Sequence, residues 1–252
     1  MKTEAIVASA GIGKRLTQLF HARAGLKTEI RKPYLNLLGK PILVHTLQAL
    51  SNSKEINSII VVVNRLDKER CNHLIKKYNI KKIKTIIIGG KYRFNSVYNG
   101  LKAVDNDTDI VVIHDGVRPF IYDDIIKRSV ACAKRFGACV VGVPVKATIK
   151  KLTSSRASYL DWNSLRGKTV EKTVDRTNLW EIQTPQVFKK DLILKAYKKF
   201  GSRTATDDAV VAEKLGIKVK VVFGSYNNIK ITTPEDLVIA EAIAKYAHRD
   251  RL

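Results

Sequence analysis

The residues best placed to do chemistry in this 252-residue chain start at Ala5-Ile6-Val7-Ala8-Ser9-Ala10-Gly11-Ile12-Gly13-Lys14-Arg15, where two glycines break an apolar run ahead of a basic pair. Such a run reads as a buried strand, and glycines lacking Cβ let backbone N–H groups close around a phosphate. Two familiar phosphate patterns fail here. The dinucleotide fingerprint requires a glycine where Leu16 stands, and the Walker pattern requires Ser or Thr where Arg15 follows Gly13-Lys14. Taken alone, the stretch suits an ordinary strand-to-helix turn equally well. Three more segments follow predicted strands, at residues 89–96, 114–118 and 227–230; the first two carry glycines, and the charged side chains of the three are mainly basic. In an open parallel sheet, ligands bind beyond the carboxyl ends of the strands. Donors and cations converging there from several segments suit a polyphosphate. Asp115 ends a predicted strand and could hold a ribose hydroxyl or Mg²⁺, directly or through water; pairing with Arg118 to shape the turn is the alternative. His114 reads as structural, and Ser9 lacks the elbow pattern of a hydrolase nucleophile.

The elements that must position these residues alternate in type. Strands are predicted at the opening run and at 58–63, 85–88, 110–113, 138–143 and 218–223. Helices are predicted at 41–50, 67–78, 94–103, 123–136, 190–199, 206–215 and from Pro234 onward, the last capped by Thr233. This alternation predicts a Rossmann-like α/β fold, a mostly parallel sheet covered by helices, as a single domain over 1–252. From about 147 to 177 the chain turns polar and basic. It is predicted to be a protruding β-arm whose Tyr159, Leu160 and Trp162 bury themselves against a second copy, making a homodimer.

Composition narrows the class. No apolar run reaches the roughly 20 residues of a membrane span, and the N-terminus enters a strand without a secretory signal. Three cysteines with neither zinc nor disulfide spacing suit a reducing cytoplasm. The formal charge of +23 comes from 46 Lys and Arg against 23 Asp and Glu. No nucleic-acid motif or stacking aromatic series accompanies the lysines. Solvated faces are therefore favoured over nucleic acid as a partner, and part of the excess suits an anionic small substrate.

Residues 8–15 (ASAGIGKR), 89–101 (GGKYRFNSVYNGL), 114–120 (HDGVRPF), 173–186 (TVDRTNLWEIQTPQ) and 228–236 (NIKITTPED) together resemble, in order and across nearly the whole chain, the 2-C-methyl-D-erythritol 4-phosphate cytidylyltransferases of isoprenoid biosynthesis. The resemblance implies attack by the phosphate of methylerythritol phosphate on the α-phosphorus of CTP, with Mg²⁺ on the triphosphate. It further implies that Arg15 and Lys32 face the α-phosphate and that Lys230 helps place the attacking phosphate. Arg176, on the arm, would reach the substrate phosphate in a partner subunit. Ala10, Gly11 and Gly13 would cradle the nucleotide, Gly90 and Ser96 would face cytosine, and Asp115 would lie near ribose and metal. Thr148, Thr184 and Thr206 are further candidates for substrate contacts. The chain departs from the pattern in having Arg31-Lys32-Pro33-Tyr34 for the usual Pro-Lys-Gln-Tyr, Lys91 and Ala147 where acids are common, and a longer segment between Arg15 and Lys32. Rival functions are a ribitol-5-phosphate cytidylyltransferase, which usually differs around Asp175-Arg176 and Leu179-Trp180, and a non-catalytic nucleotide- or RNA-binding protein.

Overall fold

The computed structural model describes residues 1–11, 31–153, 169–201, 205 and 207–249. The apolar opening run is strand β1 (Thr3–Ser9), buried almost throughout, as a central strand covered on both faces must be. Next come a 3₁₀ turn (Lys32–Tyr34), the short hairpin β2 (Asn36–Leu37) and β3 (Lys40–Pro41), and α1 (Ile42–Asn52). The chain then alternates through β4 (Ser58–Val63), α2 (Lys68–Lys77), β5 (Ile83–Ile88), α3 (Arg93–Lys102), β6 (Ile110–Asp115), α4 (Asp123–Phe136) and β7 (Ala138–Pro144). It continues with β8 (Ile149–Leu152), β9 (Val170–Val174), β10 (Trp180–Lys189), α5 (Lys190–Phe200), α6 (Ala209–Lys214), β11 (Lys220–Phe223) and α7 (Pro234–Arg249).

Seven strands form one sheet in the order β11-β7-β10-β6-β1-β4-β5. All its pairings are parallel except those of β10, which runs antiparallel to both β6 and β7. The sequence reading missed β10. Pro185 interrupts it, and the register shifts between Gln183 and Gln186, so the alternation that marks a strand is broken. One face of the sheet packs on Leu43, Val44 and Leu47 of α1, Cys71 of α2 and Ile126 and Val130 of α4. The other packs on Val97 and Leu101 of α3, Ile193 and Tyr197 of α5 and Val211 of α6. A smaller apolar cluster joins Leu37 and Ile42 to Ile231 and to Ala240 of α7. The predicted cap of α7 is present: Thr233 Oγ1 accepts the Asp236 N–H at 3.3 Å, and the Asp236 carboxylate accepts the Thr232 and Thr233 N–H groups at 2.8 Å.

From β1 the chain moves outward through β4 to β5 and then crosses back to β6 on the other side of β1. This reversal opens a crevice beyond the carboxyl ends of β1 and β6. Within the stretch expected to form the arm, β8 and β9 pair as an antiparallel ribbon separate from the main sheet. Tyr159, Leu160 and Trp162 lie outside the described residues.

Candidate active site

The crevice is a cleft of about 750 Å³. Ala10 and Gly11 following β1, Asn64 following β4, Gly90 following β5, Arg93 at the start of α3, and Asp115 at the end of β6 all line it, joined by Lys32 and Lys230. Segments far apart in the chain thus meet where sheet topology places a ligand. The glycine pair is required by close approach. A Cβ at Gly89 would lie 2.4 Å from the Ala10 Cβ and 2.7 Å from Ser96 Oγ, and one at Gly90 would lie 2.3 Å from the Asn95 Cβ. Ser96 holds this loop, accepting the Gly90 N–H at 3.1 Å and lying within donor reach of the Tyr92 carbonyl at 3.2 Å.

Asp115 is the one carboxylate among the described lining residues, which also include Lys32, Lys91, Arg93 and Lys230. Its Oδ2 lies 2.8 Å from Lys230 Nζ and 3.5 Å from Arg118 Nε, and its Oδ1 lies 3.7 Å from Arg93 Nε. Burial pushes this carboxyl up, but Lys230, Arg93 and Arg118 outweigh that and hold it well below the usual carboxylate range. The pairing with Arg118 is therefore real and coexists with the cleft position. Arg118 also donates through NH1 to the Asn228 carbonyl at 2.6 Å, and Ile231 N–H bonds the Val117 carbonyl at 3.0 Å. These two bonds dock the Lys230 segment onto the end of β6.

His114 is fully buried, as a structural role requires. Its partners fix its tautomer: Nε2 donates to the Arg118 carbonyl at 3.1 Å, and Nδ1 accepts from Thr184 Oγ1 at 3.1 Å. Burial pushes the imidazole down to about 4, so it is neutral near pH 7. Thr184 Oγ1 in turn accepts the Asp115 N–H at 3.0 Å. Thr184 thus braces the strand end from β10 and is buried behind the cleft wall.

Of the other residues singled out by sequence, Thr148 is exposed just ahead of β8, and Arg176 is exposed beyond β9, its guanidinium donating to the Lys146 carbonyl. Neither lines this chain's own cleft. Gly13, Arg15 and Thr206 lie outside the described residues. Among the cleft residues left unassigned in the sequence reading are Asn64 and Arg93. Asn64 could have been found as the residue directly after a buried strand. Arg93 stands inside the glycine-loop motif, but its partner, Asp208, is 115 residues away. That aspartate is completely buried and binds Arg93 in fork geometry, at 2.8 Å to NH1 and 2.7 Å to NH2.

A second concavity, of about 710 Å³, runs along α2 and β5. Three of its five lysines are engaged: Lys82 with the Ser53 carbonyl at 2.7 Å, Lys81 with Asn79 at 2.7 Å, and Lys84 with buried Glu4 at 3.1 Å.

No group of three or more His, Cys, Asp or Glu side chains able to hold a metal occurs among the described residues. One carboxylate in a cleft lined by Lys32, Lys91, Arg93 and Lys230 fits a Mg²⁺ that would be carried chiefly by the phosphates of a nucleotide, with few protein ligands and retained water.

A family model described as "IspD: 2-C-methyl-D-erythritol 4-phosphate cytidylyltransferase" matches residues 3–246. The enzyme of that name from Alkaliphilus oremlandii is 44% identical over 99% of this chain and 98% of its own length. The one from Alkaliphilus metalliredigens is 42% identical over 96% of this chain and 92% of its own. The crystal structure of 4-diphosphocytidyl-2C-methyl-D-erythritol synthase from Anaerococcus prevotii superposes with a TM-score of 0.77 at 32% identity, covering 97% of this chain and 96% of that one. With its cleft at the β1/β6 switch point and this likeness along its whole length, the chain belongs to the 2-C-methyl-D-erythritol 4-phosphate cytidylyltransferase (IspD) family.

Proposed function

We propose that this protein transfers CMP from CTP to 2-C-methyl-D-erythritol 4-phosphate, releasing pyrophosphate and 4-diphosphocytidyl-2-C-methyl-D-erythritol, as a cytoplasmic homodimer. The observation that carries the reading is the cleft itself. In a chain of this family, the glycine loops and lysines expected around a nucleotide line one cleft together with Asp115. The attacking phosphate is already anionic near neutral pH, so the reaction needs no general base. Its demand is for cations fixed where charge gathers on the pentacoordinate phosphorus. Lys32 and Lys230 occupy the cleft, and Arg15 follows its glycine turn in sequence. Ala10, Gly11 and Gly13 cradle the phosphates, while Gly90 and the loop braced by Ser96 receive cytosine. Asp115 serves the ribose and, through water, the Mg²⁺ that would neutralise part of the triphosphate charge when bound. Thr148 and Thr206 contact the sugar phosphate.

The ribbon of β8 and β9 supports the dimer reading. Val170 on the ribbon is 54% exposed, and in the main sheet the exposed Trp180 and Phe223 rings pack edge to face, leaving apolar surface uncovered. Arg176, exposed and outside its own chain's cleft, is set to enter a partner's site. Among the described residues, no helix is long and apolar enough to cross a membrane.

Pyrophosphate release, measured with CTP, Mg²⁺ and each sugar phosphate in turn, tests the assignment. Turnover with methylerythritol phosphate is the expected result. Turnover with ribitol 5-phosphate alone would transfer the enzyme to that substrate, and none with either would leave a nucleotide- or RNA-binding protein. Sharing of sites is tested by mixing Arg176→Ala and Arg15→Ala subunits. A heterodimer with one intact site should recover up to about half the wild-type activity per dimer if the arm acts in trans. Lack of recovery in a verified heterodimer would confine each site to one chain.

A further inference from the structure

We infer that Asp67 and Arg31 are positioning residues that pin Lys32 against the nucleotide cleft. The inference rests on the proposed role of Lys32 as a cation at the α-phosphate. In sequence, the replacement of the usual Pro-Lys-Gln-Tyr by Arg31-Lys32-Pro33-Tyr34 looks like a loss, since Pro33 contributes no N–H. The structure shows what holds the turn instead.

Arg31 NH1 lies 3.0 Å from Asp67 Oδ2, and the two side chains are only 13% and 9% exposed. On the far side of Lys32, Pro33 and Tyr34 are buried. The Tyr34 hydroxyl donates to the Asp67 carbonyl at 3.4 Å, and the Arg70 guanidinium sits 4.5 Å from the centre of the Tyr34 ring. Bonds from Tyr34 N–H to the Arg31 carbonyl at 3.0 Å and from Leu35 N–H to the Lys32 carbonyl at 3.2 Å close the 3₁₀ turn. The Lys32 backbone is therefore gripped from both sides by one short segment, residues 64–70.

That segment is itself fixed to the sheet. Asn64, the residue after β4, accepts the Leu66 N–H on its side chain at 3.1 Å and the Asp67 N–H on its carbonyl at 3.0 Å. Asn64 also lines the same cleft as Lys32. A rigid path thus runs from the β4 end through Asn64, Asp67 and Arg31 to the lysine. A lysine has a long, freely rotating stem, so its value to a transition state depends on where its backbone is held. Neither Asp67 nor Arg31 lines the cleft, so their effect on the reaction runs through Lys32.

The test compares Asp67→Asn, Arg31→Gln, Lys32→Ala and the double variant Asp67→Asn/Lys32→Ala in pyrophosphate release, with thermal unfolding as the control on folding. Asp67→Asn and Arg31→Gln should each lower kcat about 10-fold while changing either KM less than about threefold, because small misplacements of a reacting group cost rate. The double variant should be no slower than Lys32→Ala, since a pin has nothing left to position. Arg31→Gln/Asp67→Asn, which leaves no unpaired buried charge, should show the same kcat loss and serves if a single variant does not fold. A folded Asp67→Asn or neutral double variant with wild-type kcat overturns the inference, as does a further 10-fold loss on adding Asp67→Asn to Lys32→Ala. Wild-type turnover in Lys32→Ala would instead remove the role of Lys32, and the pin with it.

Discussion

Lys230→Ala is expected to lower turnover by about 10²–10³-fold, the usual cost of losing one preorganised donor to a charged transition state, while the fold stays intact. The segment that carries the lysine does not depend on its side chain. It is docked by Arg118 to the Asn228 carbonyl, by Ile231 N–H to the Val117 carbonyl, and by Asn228 Nδ2 to the Thr184 carbonyl at 2.9 Å. Asp115, moreover, keeps Arg118 and Arg93 beside it when the ammonium is removed. The loss should fall mainly on kcat, because a cation aimed at developing charge binds the transition state better than the ground state. Steady-state pyrophosphate release alongside a melting curve checks both halves of the expectation. Near-normal turnover would take Lys230 out of the catalytic set, whereas a variant that no longer folds would show that the Asp115 pair is structural.

Asp208→Ala is expected to destabilise the protein by about 3–5 kcal/mol, since removing one partner of a buried ion pair strands the other charge. Asp208 is wholly buried; it holds the Arg93 fork, accepts the Tyr197 hydroxyl, and its N–H bonds Gln186 Oε1 at 2.9 Å. At about 2–4 °C per kcal/mol for a chain of this size, the melting temperature should drop by roughly 6–20 °C. Arg93 also reaches Asp115, so catalysis should fall even at temperatures where the variant is folded. Asp208→Asn, which preserves volume and hydrogen-bonding atoms, should lose less on both counts. Calorimetry of the two variants measures the first effect. A shift below about 2 °C for the alanine variant would mean that Arg93 is satisfied without Asp208.

These expectations draw on two kinds of information. The apolar runs at 58–63, 110–113 and 138–143 announced central strands because a strand buried on both faces leaves water no place to leave a polar mark. The residues after the opening run and after the predicted strands at 85–88, 110–113 and 218–223 announced the cleft, since an open parallel sheet gathers its ligand groups at the strand ends. Ala10, Gly11, Gly90, Asp115 and Lys230 were all legible on that ground. Lys32 was legible through its motif, although the proline beside it obscured how it is held.

What stayed hidden depends on pairing across distance. β10 inserts antiparallel between β6 and β7, and neither its broken alternation nor Pro185 hints at that partner choice. Thr184 matched a substrate-side motif in sequence, yet packing turns its hydroxyl to Asp115 N–H and His114. Arg93 and Asp208, like Arg31 and Asp67, are ordinary surface residue types until folding brings them together and removes their water. Periodicity reports which face of an element is buried. Which charge meets which carboxylate behind that face is decided when the sheet closes and every polar group left inside must find a partner.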